Sequence, residues 1–206
     1  MEQSSCCAED VRHDQGVRIQ GCPPTRYALT LVNTICTAHS RPSVTWANHF
    51  VTGAPTYTVN ATWLQRISDV VDMTVSRGLY TIVNVHHDAS TWQDLTQANA
   101  NYTAIEQQFY QLWYQIGTKL GCKSQLLAFE PINEPNANTQ DQYDELNKLN
   151  ALFVKAIDDA GGYNKDRVVT LVGPSEDSIK TSTYFKAPAN ITNPWAIQFH
   201  YYSPCK

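Results

Sequence analysis

The stretch LLAFEPINEP at residues 126–135 runs from a short apolar segment into a turn that holds two carboxylates. Residues 126–129 are apolar over too few positions for a helix and predict a buried β-strand. Asn133 and Glu134 follow it, and Pro135 stiffens the chain where it leaves the strand. A carboxyl group there, walled by apolar residues, has its charged form disfavoured and its pKa raised, as a general acid requires. An exposed Asn-Glu-Pro turn is the alternative interpretation, and the preceding strand argues against it.

Short apolar runs and helical patterns alternate on both sides of this stretch from about residue 42 onward. Successive strand starts lie 27 to 46 residues apart, which is the spacing of βα units with parallel strands and right-handed crossovers. The fold class is therefore predicted to be α/β. Strands are predicted over residues 44–46, 80–85, 126–129, 168–172 and 195–199, and helices from a cap at Asn60 to a stop at Gly78, over residues 102–120 with Gly121 at C′, and over residues 141–160.

Polar and ionisable residues stand at the carboxyl end of most of these strands. In a (β/α)8 TIM barrel those ends converge on one mouth, where active sites form. An open doubly wound sheet favours a glycine-rich first turn instead, and the sequence contains no GxGxxG or GxxxxGK(S/T) motif. A barrel is therefore predicted. The residues that it would gather at its mouth are His86, His87 and Asp88, then Asn133 and Glu134, then His200 and Tyr202.

The strand-end side chains differ in what they are expected to do. His86 and His87 are adjacent, and neighbours on a strand point to opposite faces, so only one of them is expected to enter the mouth. Hydrogen bonding to a hydroxylated ligand is favoured over metal ligation for this pair. His200 and Tyr202 are two positions apart and are expected to share a face. Glu130 is interpreted as an interior carboxylate paired with a cation.

Composition excludes several classes of function. The 206 residues are 42% hydrophobic and 17% charged with a net charge of −4, which is typical of a soluble globular domain and gives no electrostatic footprint for nucleic acid. No apolar run approaches the ~18 residues of a membrane span. The six cysteines form no CxxC pair and have no histidine at ligand spacing, so a zinc site is not expected.

Three Asn-x-Thr sequons favour secretion and glycosylation. They begin at Asn60, Asn101 and Asn190, each in a predicted turn or helix start. The first residues show no charged segment followed by an apolar one, so no signal peptide is recognised there. An extracellular monomer is the expectation.

Three motifs together resemble glycoside hydrolase family 5, notably its endo-β-1,4-glucanases. They are VNVHHD at residues 83–88, FEPINEP at 129–135 and QFHYYSP at 198–204, and the resemblance covers about residues 41–205. It implies a retaining hydrolase of β-glucan polysaccharides or oligosaccharides that needs no cofactor.

The resemblance also implies roles for particular residues. Glu134 matches the acid/base, with Asn133 hydrogen-bonding near it, and His200 and Tyr202 match a site histidine and the tyrosine beside the nucleophile. The stretch RPSVTW at 41–46 is similar to another family motif. The substrate-binding residues implied are Arg41, Trp46, His86 and His87.

Residues 1–40 and the family's later motifs depart from this resemblance. Residues 1–40 show no βα unit, so the expected division is an atypical segment 1–40 and a partial catalytic barrel 41–206 with about strands two to six. Neither a G-E-F/W motif carrying a nucleophilic glutamate nor the stacking tryptophan of an eighth strand is recognised. Glu176 is the nearest substitute carboxylate, although the family pattern does not place the nucleophile there. Little or no activity is therefore expected of the 206-residue chain alone.

Three other interpretations remain open at this point. The first is a family 5 enzyme of another specificity, such as a mannanase or an exo-β-glucanase. The second is an inactive remnant that binds carbohydrate. The third is a faulty gene model over residues 1–40.

Overall fold

The computed structural model describes residues 39–201, in which five parallel strands form one sheet with the spatial order β1-β2-β3-β4-β5. Because each strand pairs with the next one along the chain, every connection crosses over to the adjacent strand. The predicted α/β class with parallel strands is confirmed. The strands are β1 (His39–Ser40), β2 (Tyr80–Asn84), β3 (Leu127–Glu130), β4 (Val169–Val172) and β5 (Trp195–Gln198), and the helices are α1 (Ala61–Val75), α2 (Tyr102–Leu120), α3 (Gln140–Ala160) and α4 (Ser178–Tyr184).

Side-chain caps explain where the helices begin. Asn60 accepts from the backbone N–H groups of Thr62 and Trp63, and Asn101 caps α2 in the same way. A capping box of Thr139 and Gln142 opens α3. The predicted bounds of α2 are confirmed, and those of α3 differ by one residue at the start. None of the helices within residues 39–201 has both the length and the apolarity that a membrane crossing requires.

The prediction of a strand over residues 44–46 was wrong. The strand in this part of the chain is His39–Ser40. Val44 and Trp46 are buried outside any strand, because side chains bind their backbone N–H groups: the Asn84 amide oxygen at 3.3 Å and the Asp88 carboxylate at 3.0 Å. Burial there does not require a strand partner.

The glycines at the ends of α1 and α2 have different backbone conformations. Gly78 adopts φ +73° just beyond α1, as the predicted stop requires. Gly121 was predicted at C′, but it is the C-cap itself, with φ −59°. A Cβ atom at Gly121 would lie 3.2 Å from the carbonyl oxygen of Gly161, so close backbone packing accounts for the glycine.

The core lies between the sheet and helices α2 and α3. Both helices contribute fully buried apolar side chains to it, among them Phe109, Leu112 and Phe153. Trp113 lies at the centre with its ring 4.6 Å from Phe153 and 5.6 Å from Phe129. Its indole N–H donates to the Pro131 carbonyl at 3.3 Å, so the apolar packing leaves no polar atom of the ring unsatisfied.

Arg167 is a fully buried cation at the end of the sheet opposite the strand-end residues discussed above. Its guanidinium donates to backbone carbonyls that belong to the end of α2 and the segment leading into β3. Burial lowers the pKa of Arg167 to about 10, so it stays charged at neutral pH. The acceptors are the carbonyls of Leu127 (2.8 Å), Ser124 (2.9 Å), Lys123 (3.0 Å), Leu120 (3.4 Å) and Gly121 (3.4 Å).

Replacing Arg167 by methionine is expected to lower the free energy of unfolding by about 3 kcal/mol or more, because several buried carbonyls lose a charged donor together. Urea unfolding measures the change. The matched control is Arg66→Met at an exposed position of α1, which should change stability by less than about 0.5 kcal/mol. Equal effects of the two substitutions would contradict this structural role.

Glu145 on α3 is a buried carboxyl that faces α2. Burial and then the negative charge of Glu106 raise the pKa of Glu145 to about 7. The unfolded chain releases this proton near pH 4.3. Between those two values the folded state binds more protons, so the stability due to this group is present at low pH and is lost as the pH rises to about 7.

The Glu145→Gln variant is therefore expected to gain stability over the wild type as the pH rises from about 4.5 to 7. The measurement is the difference in unfolding free energy between the two proteins in urea at pH 4.5, 6 and 8. Asp69→Asn, at an exposed carboxyl of α1, provides the control for a general charge effect. A difference that stays constant over this pH range would refute the assignment.

Candidate active site

Four backbone hydrogen bonds join the carboxyl ends of neighbouring strands beyond the points where their ladders stop. They form one continuous rim, and the strand-end side chains predicted to converge project from it. Their order along the rim follows the order of the strands. The bonds run from His86 N to Val44 O (2.9 Å), Asn133 N to Val85 O (2.9 Å), Ser175 N to Pro135 O (2.7 Å) and His200 N to Glu176 O (2.9 Å).

A partly buried ion pair occupies the β1 to β3 side of this rim. Glu130, the last residue of β3, is fully buried and is bound by both Nε (2.7 Å to Oε2) and Nη2 of Arg41. The interpretation of Glu130 as an interior carboxylate paired with a cation is confirmed. Asn84 also donates to it at 3.1 Å, and Arg41 donates at 2.8 Å to the side-chain oxygen of Asn133.

The contacts of Arg41 fix the orientation of the Asn133 amide, because its oxygen is held by a guanidinium nitrogen. Burial works against the charge of Arg41, yet the hydrogen bond and charge of Glu130 give a net rise in the pKa of Arg41. Asn84 was not predicted as a site residue. The sequence signal for it was a polar amide side chain within a strand that is otherwise largely apolar.

Removing one partner of this pair should cost much more than removing both. Arg41→Met leaves the Glu130 carboxylate buried without its cation and is expected to lower the free energy of unfolding by about 3–5 kcal/mol. Arg41→Met combined with Glu130→Leu should recover most of that loss. Urea unfolding of the three proteins tests the prediction, and a double variant that is less stable than the single one would contradict it.

The opposite side of the rim holds two carboxylates against one imidazole. Nδ1 of His200 lies 2.6 Å from Oε1 of Glu134, whose side chain is 41% exposed. Nε2 of the same ring lies 2.8 Å from Oε2 of Glu176, whose side chain is 0% exposed. The structure therefore brings Glu134 and His200 into contact, and it adds Glu176, for which the sequence analysis gave only a substitute role.

Strained backbone accompanies these contacts. Glu134 (φ 45°), Ser175 (φ 56°) and Glu176 (φ 50°) all adopt left-handed conformations that residues with a Cβ atom rarely take. Each costs on the order of 1–3 kcal/mol, and such residues cluster at functional sites. Both carboxylates that contact His200 belong to this group, so the strain falls on the residues that form the site.

Burial raises the pKa of the Glu176 carboxyl to about 7. The backbone N–H of Glu134 and the charges of His200 and Arg41 oppose this rise, whereas the charge of Glu130 adds to it. Near neutral pH the protonated and ionised forms of Glu176 are therefore close in free energy.

His86 and His87 lie side by side at the end of β2. The strand ends at Asn84, so the alternation of a strand does not extend to them, and the two rings make an edge contact with centroids 4.6 Å apart. The prediction that strand alternation separates them was wrong. His86 lies 2.9 Å from the Asn84 amide nitrogen, and burial followed by the charges of Arg41 and His87 lowers its pKa. His87 is exposed and contacts the Thr45 hydroxyl at 2.6 Å.

Trp46 does not reach the site and its prediction as a substrate-binding residue was wrong. The side chain is fully buried in the core, and its indole N–H donates to the Asn84 carbonyl at 3.0 Å. The buried Asp88 carboxylate accepts from the Trp46 backbone N–H and from the Trp92 indole at 2.7 Å. Trp46 and Asp88 thus fix the conformation of the loop after β2 through these hydrogen bonds.

Glu134, Glu176 and His200 are also the group that, within residues 39–201, brings potential metal ligands together, with one ligand atom from each within 4.8 Å of the others. That the site needs no metal or cofactor stays a prediction.

The remaining predicted residues are Tyr202 and the asparagines of the three sequons. Tyr202 lies outside the described residues. Asn60 and Asn101 are helix caps and Asn190 lies in a turn, as expected of the three sequons. Their glycosylation stays a prediction.

Five consecutive parallel strands with a carboxylate-rich rim at their carboxyl ends are the arrangement of part of a (β/α) barrel. The profile of the cellulase family, glycosyl hydrolase family 5, matches residues 16–206, and the chain belongs to that family. The match begins inside the segment 1–40 that was set apart from it. The structure describes only residues 39 and 40 of that segment, so the boundary at residue 40 stays a prediction.

Several characterised proteins are similar to the chain. Endoglucanase H of Acetivibrio thermocellus is 34% identical over 80% of this chain and 17% of its own length, and endoglucanase A of Paenibacillus barcinonensis is 34% identical over 61% and 33%. Among solved structures, a broad-specificity endoglucanase from Bacteroides salanitronis has a TM-score of 0.75 and 29% identity. It is matched over 85% of this chain and 50% of its own. The chain therefore spans half or less of these relatives.

Proposed function

We propose that the protein hydrolyses β-1,4-glucosidic bonds in cellulose or related β-glucans with retention of configuration, and that Glu134 is its acid/base. The observation that carries this proposal is the position of Glu134 within a family 5 barrel. Its partly exposed carboxyl follows β3, and His200 holds it at 2.6 Å. A proton donor must reach the substrate oxygen and still be fixed in direction, and this carboxyl meets both conditions.

In the first half of the reaction, Glu134 gives its proton to the glycosidic oxygen as the bond from that oxygen to the anomeric carbon breaks. A second carboxylate forms a bond to the same carbon, which gives a covalent glycosyl-enzyme. In the second half, Glu134 takes a proton from water while the water oxygen displaces the carboxylate. Glu134 thereby recovers its proton, and the sugar keeps its configuration.

The described carboxylates near Glu134 are poorly suited to act as the nucleophile. Glu130 is fully buried and held by Arg41, and Glu176 is fully buried behind His200. Neither can approach an anomeric carbon in the mouth. Neither of these two carboxylates is therefore proposed as the nucleophile, and the absence of the nucleophile from the chain stays a prediction of the sequence analysis.

The other site residues receive positioning or binding roles in this proposal. Arg41 holds Asn133, whose amide is suited to bind a sugar hydroxyl beside the bond that breaks. His86 and the exposed His87 line the same mouth and can bind sugar hydroxyls through their ring nitrogens. Tyr202 is proposed to act beside the nucleophile, as the family resemblance implies.

The relatives favour a β-1,4-glucan backbone as the substrate. A xyloglucan-specific endo-β-1,4-glucanase from a metagenomic library, solved in complex with cellotriose, has a TM-score of 0.72 and 30% identity. Xyloglucan is therefore a second candidate substrate beside cellulose. A polymeric substrate is also consistent with the extracellular monomer expected from the sequence.

Glu134→Gln tests the acid role when the rates of two aryl β-cellobiosides are compared. The variant should lose about 10²-fold or more with a poor leaving group, which needs the proton. It should lose little with 2,4-dinitrophenolate, which leaves without one. Sodium azide is added to both reactions, since it can supply an attacking group if the chain lacks its own.

Glu106→Gln, at a surface ion pair with Lys148, is the control and should behave as the wild type. Equal losses with both leaving groups would show that Glu134 is not the acid. Ordinary turnover of a soluble cellulose derivative without azide, abolished by Glu134→Gln, would overturn the expectation that the nucleophile is missing.

A further inference from the structure

Glu176 carries a buried carboxylate whose contact with His200 is not a hydrogen bond. Its side chain is 0% exposed, and its Oε2 lies 2.8 Å from Nε2 of His200. Neither oxygen of the carboxylate makes a hydrogen bond within the part of the chain that the structure describes. A buried carboxylate without hydrogen bonds is costly, because water no longer solvates its charge. A cation bound to its oxygens would offset this cost.

Three side chains that can bind a metal ion converge at this point of the rim. Glu134, Glu176 and His200 each offer one ligand atom, and these atoms lie within 4.8 Å of one another. Two atoms bound to the same Zn²⁺ ion at about 2.0–2.1 Å stand roughly 3 Å apart. The separation of 2.8 Å between His200 and Glu176 is close to that value. The two side chains therefore already lie about as far apart as two ligands of one ion.

We propose that Glu134, His200 and Glu176 form a binding site for Zn²⁺. The inference goes beyond the proposed function, because binding of the ion does not require Glu134 to be an acid. It assigns the ion no part in hydrolysis, and it is therefore compatible with a reaction that needs no cofactor. It also gives the buried Glu176 a role other than that of nucleophile.

The chemistry of the three ligands selects the class of ion. Histidine nitrogen and carboxylate oxygen are both common ligands of Zn²⁺, and open zinc sites take three protein ligands with water in a further position. Mg²⁺ and Ca²⁺ prefer oxygen ligands, whereas imidazole favours Zn²⁺ and other first-row transition metals. The side chain of Glu134 is 41% exposed, so solvent reaches the site and water can occupy the remaining position.

The charges around the three side chains also favour a divalent cation. Glu134 and Glu176 carry two negative charges when both are ionised, and a neutral His200 adds none. The neighbouring charges of Glu130 and Arg41 oppose each other within their ion pair. The charge that remains is therefore −2, which one Zn²⁺ ion neutralises. Because Glu176 is buried, water screens its attraction for the ion only weakly.

Glu134 is the ligand that must move when the ion binds. Its Oε1 lies 2.6 Å from Nδ1 of His200. Because this side chain is partly exposed, rotation about its bonds can bring an oxygen to the ion without disturbing the core. Glu176 stays fixed, since its side chain is buried and its carbonyl accepts from the backbone N–H of His200 at 2.9 Å. Binding thus requires a change at one surface side chain.

Zn²⁺ and a proton compete for Glu134, because a carboxylate must be deprotonated to bind a metal ion. The bound ion would hold Glu134 ionised and unable to protonate a leaving group. This consequence rests on the proposed function, whereas the binding of the ion does not.

The experiment is isothermal titration calorimetry of the 206-residue chain with ZnCl₂ at pH 7, after its thiols are blocked with N-ethylmaleimide so that cysteine does not bind the ion. One equivalent of Zn²⁺ is expected to bind, and MgCl₂ should give no comparable binding. Glu176→Gln keeps the shape of the side chain but removes its charge, and it should weaken Zn²⁺ binding by about tenfold or more. Thermal unfolding verifies that the variant is folded.

Two variants are matched controls. Glu145→Gln changes another buried carboxyl, which belongs to α3, and His87→Ala removes an imidazole that contacts the ring of His86. Both should bind Zn²⁺ as the wild type does. Weaker binding in His87→Ala together with unchanged binding in Glu176→Gln would assign the ion to the two histidines after β2 and overturn the proposal. A wild-type chain that does not bind Zn²⁺ would also overturn it.

NMR spectra of the wild-type chain, labelled with 15N in its histidine rings, decide the matter even if Glu176→Gln fails to fold. Zn²⁺ should shift a ring-nitrogen signal of His200 more than those of the other histidines, and the His200→Gln variant assigns that signal. An unchanged His200 signal in the presence of bound Zn²⁺ refutes the site.

Neither readout uses turnover, so both are independent of the leaving-group assay. Zn²⁺ binding at His200 together with an unimportant Glu134 in that assay would refute the acid role alone. An essential Glu134 in a chain that does not bind Zn²⁺ would refute the metal site alone.

Discussion

The hydrogen bonds along the rim of the sheet are the constraint on which the site depends. The ladder between β3 and β4 is short, with Phe129 paired to Val169, so strand pairing by itself does not fix the loops at the carboxyl ends. The backbone bonds from Val44 round to His200 do so. They hold each strand-end side chain at a set distance from the next one, which a site built from separate loops requires.

The structure treats its two fully buried rim carboxylates in opposite ways. Glu130 is neutralised by a guanidinium that stays charged at any pH of interest, and Asn84 adds a further donor. Glu176 faces the imidazole of His200, whose Nε2 lies 2.8 Å from its Oε2. The first arrangement gives a rigid support for Asn133. The second places a buried carboxylate against the imidazole that contacts Glu134, the carboxyl that is proposed to donate a proton.

Much of the fold could be predicted because it depends on local chemistry. Asparagine caps and an apolar stripe set the bounds of α2, and four strands begin within one residue of their predicted starts. The error at residues 44–46 has a tertiary cause, since Asn84 and Asp88 bind that backbone in place of a strand. The helix α4 was missed because it is short and is started mainly by the side chain of Asp177. Trp46 looked available for a ligand, but its burial comes from a loop packing over it.

The sequence by itself determined the α/β class, the family, the strand on which Glu134 lies and the presence of His200 near the same mouth. These follow from periodicity and from short motifs, which are properties of neighbouring residues. Only the tertiary structure decided that Arg41 is the cation of Glu130 and that Glu176 shares an imidazole with Glu134. The reason is that both contacts join residues far apart in the chain, 89 positions for Arg41 and Glu130 and 66 for His200 and Glu134. Their distances are set by the packing of the strands and by the left-handed turns at Glu134 and Glu176, and neither leaves a periodic signal in the sequence.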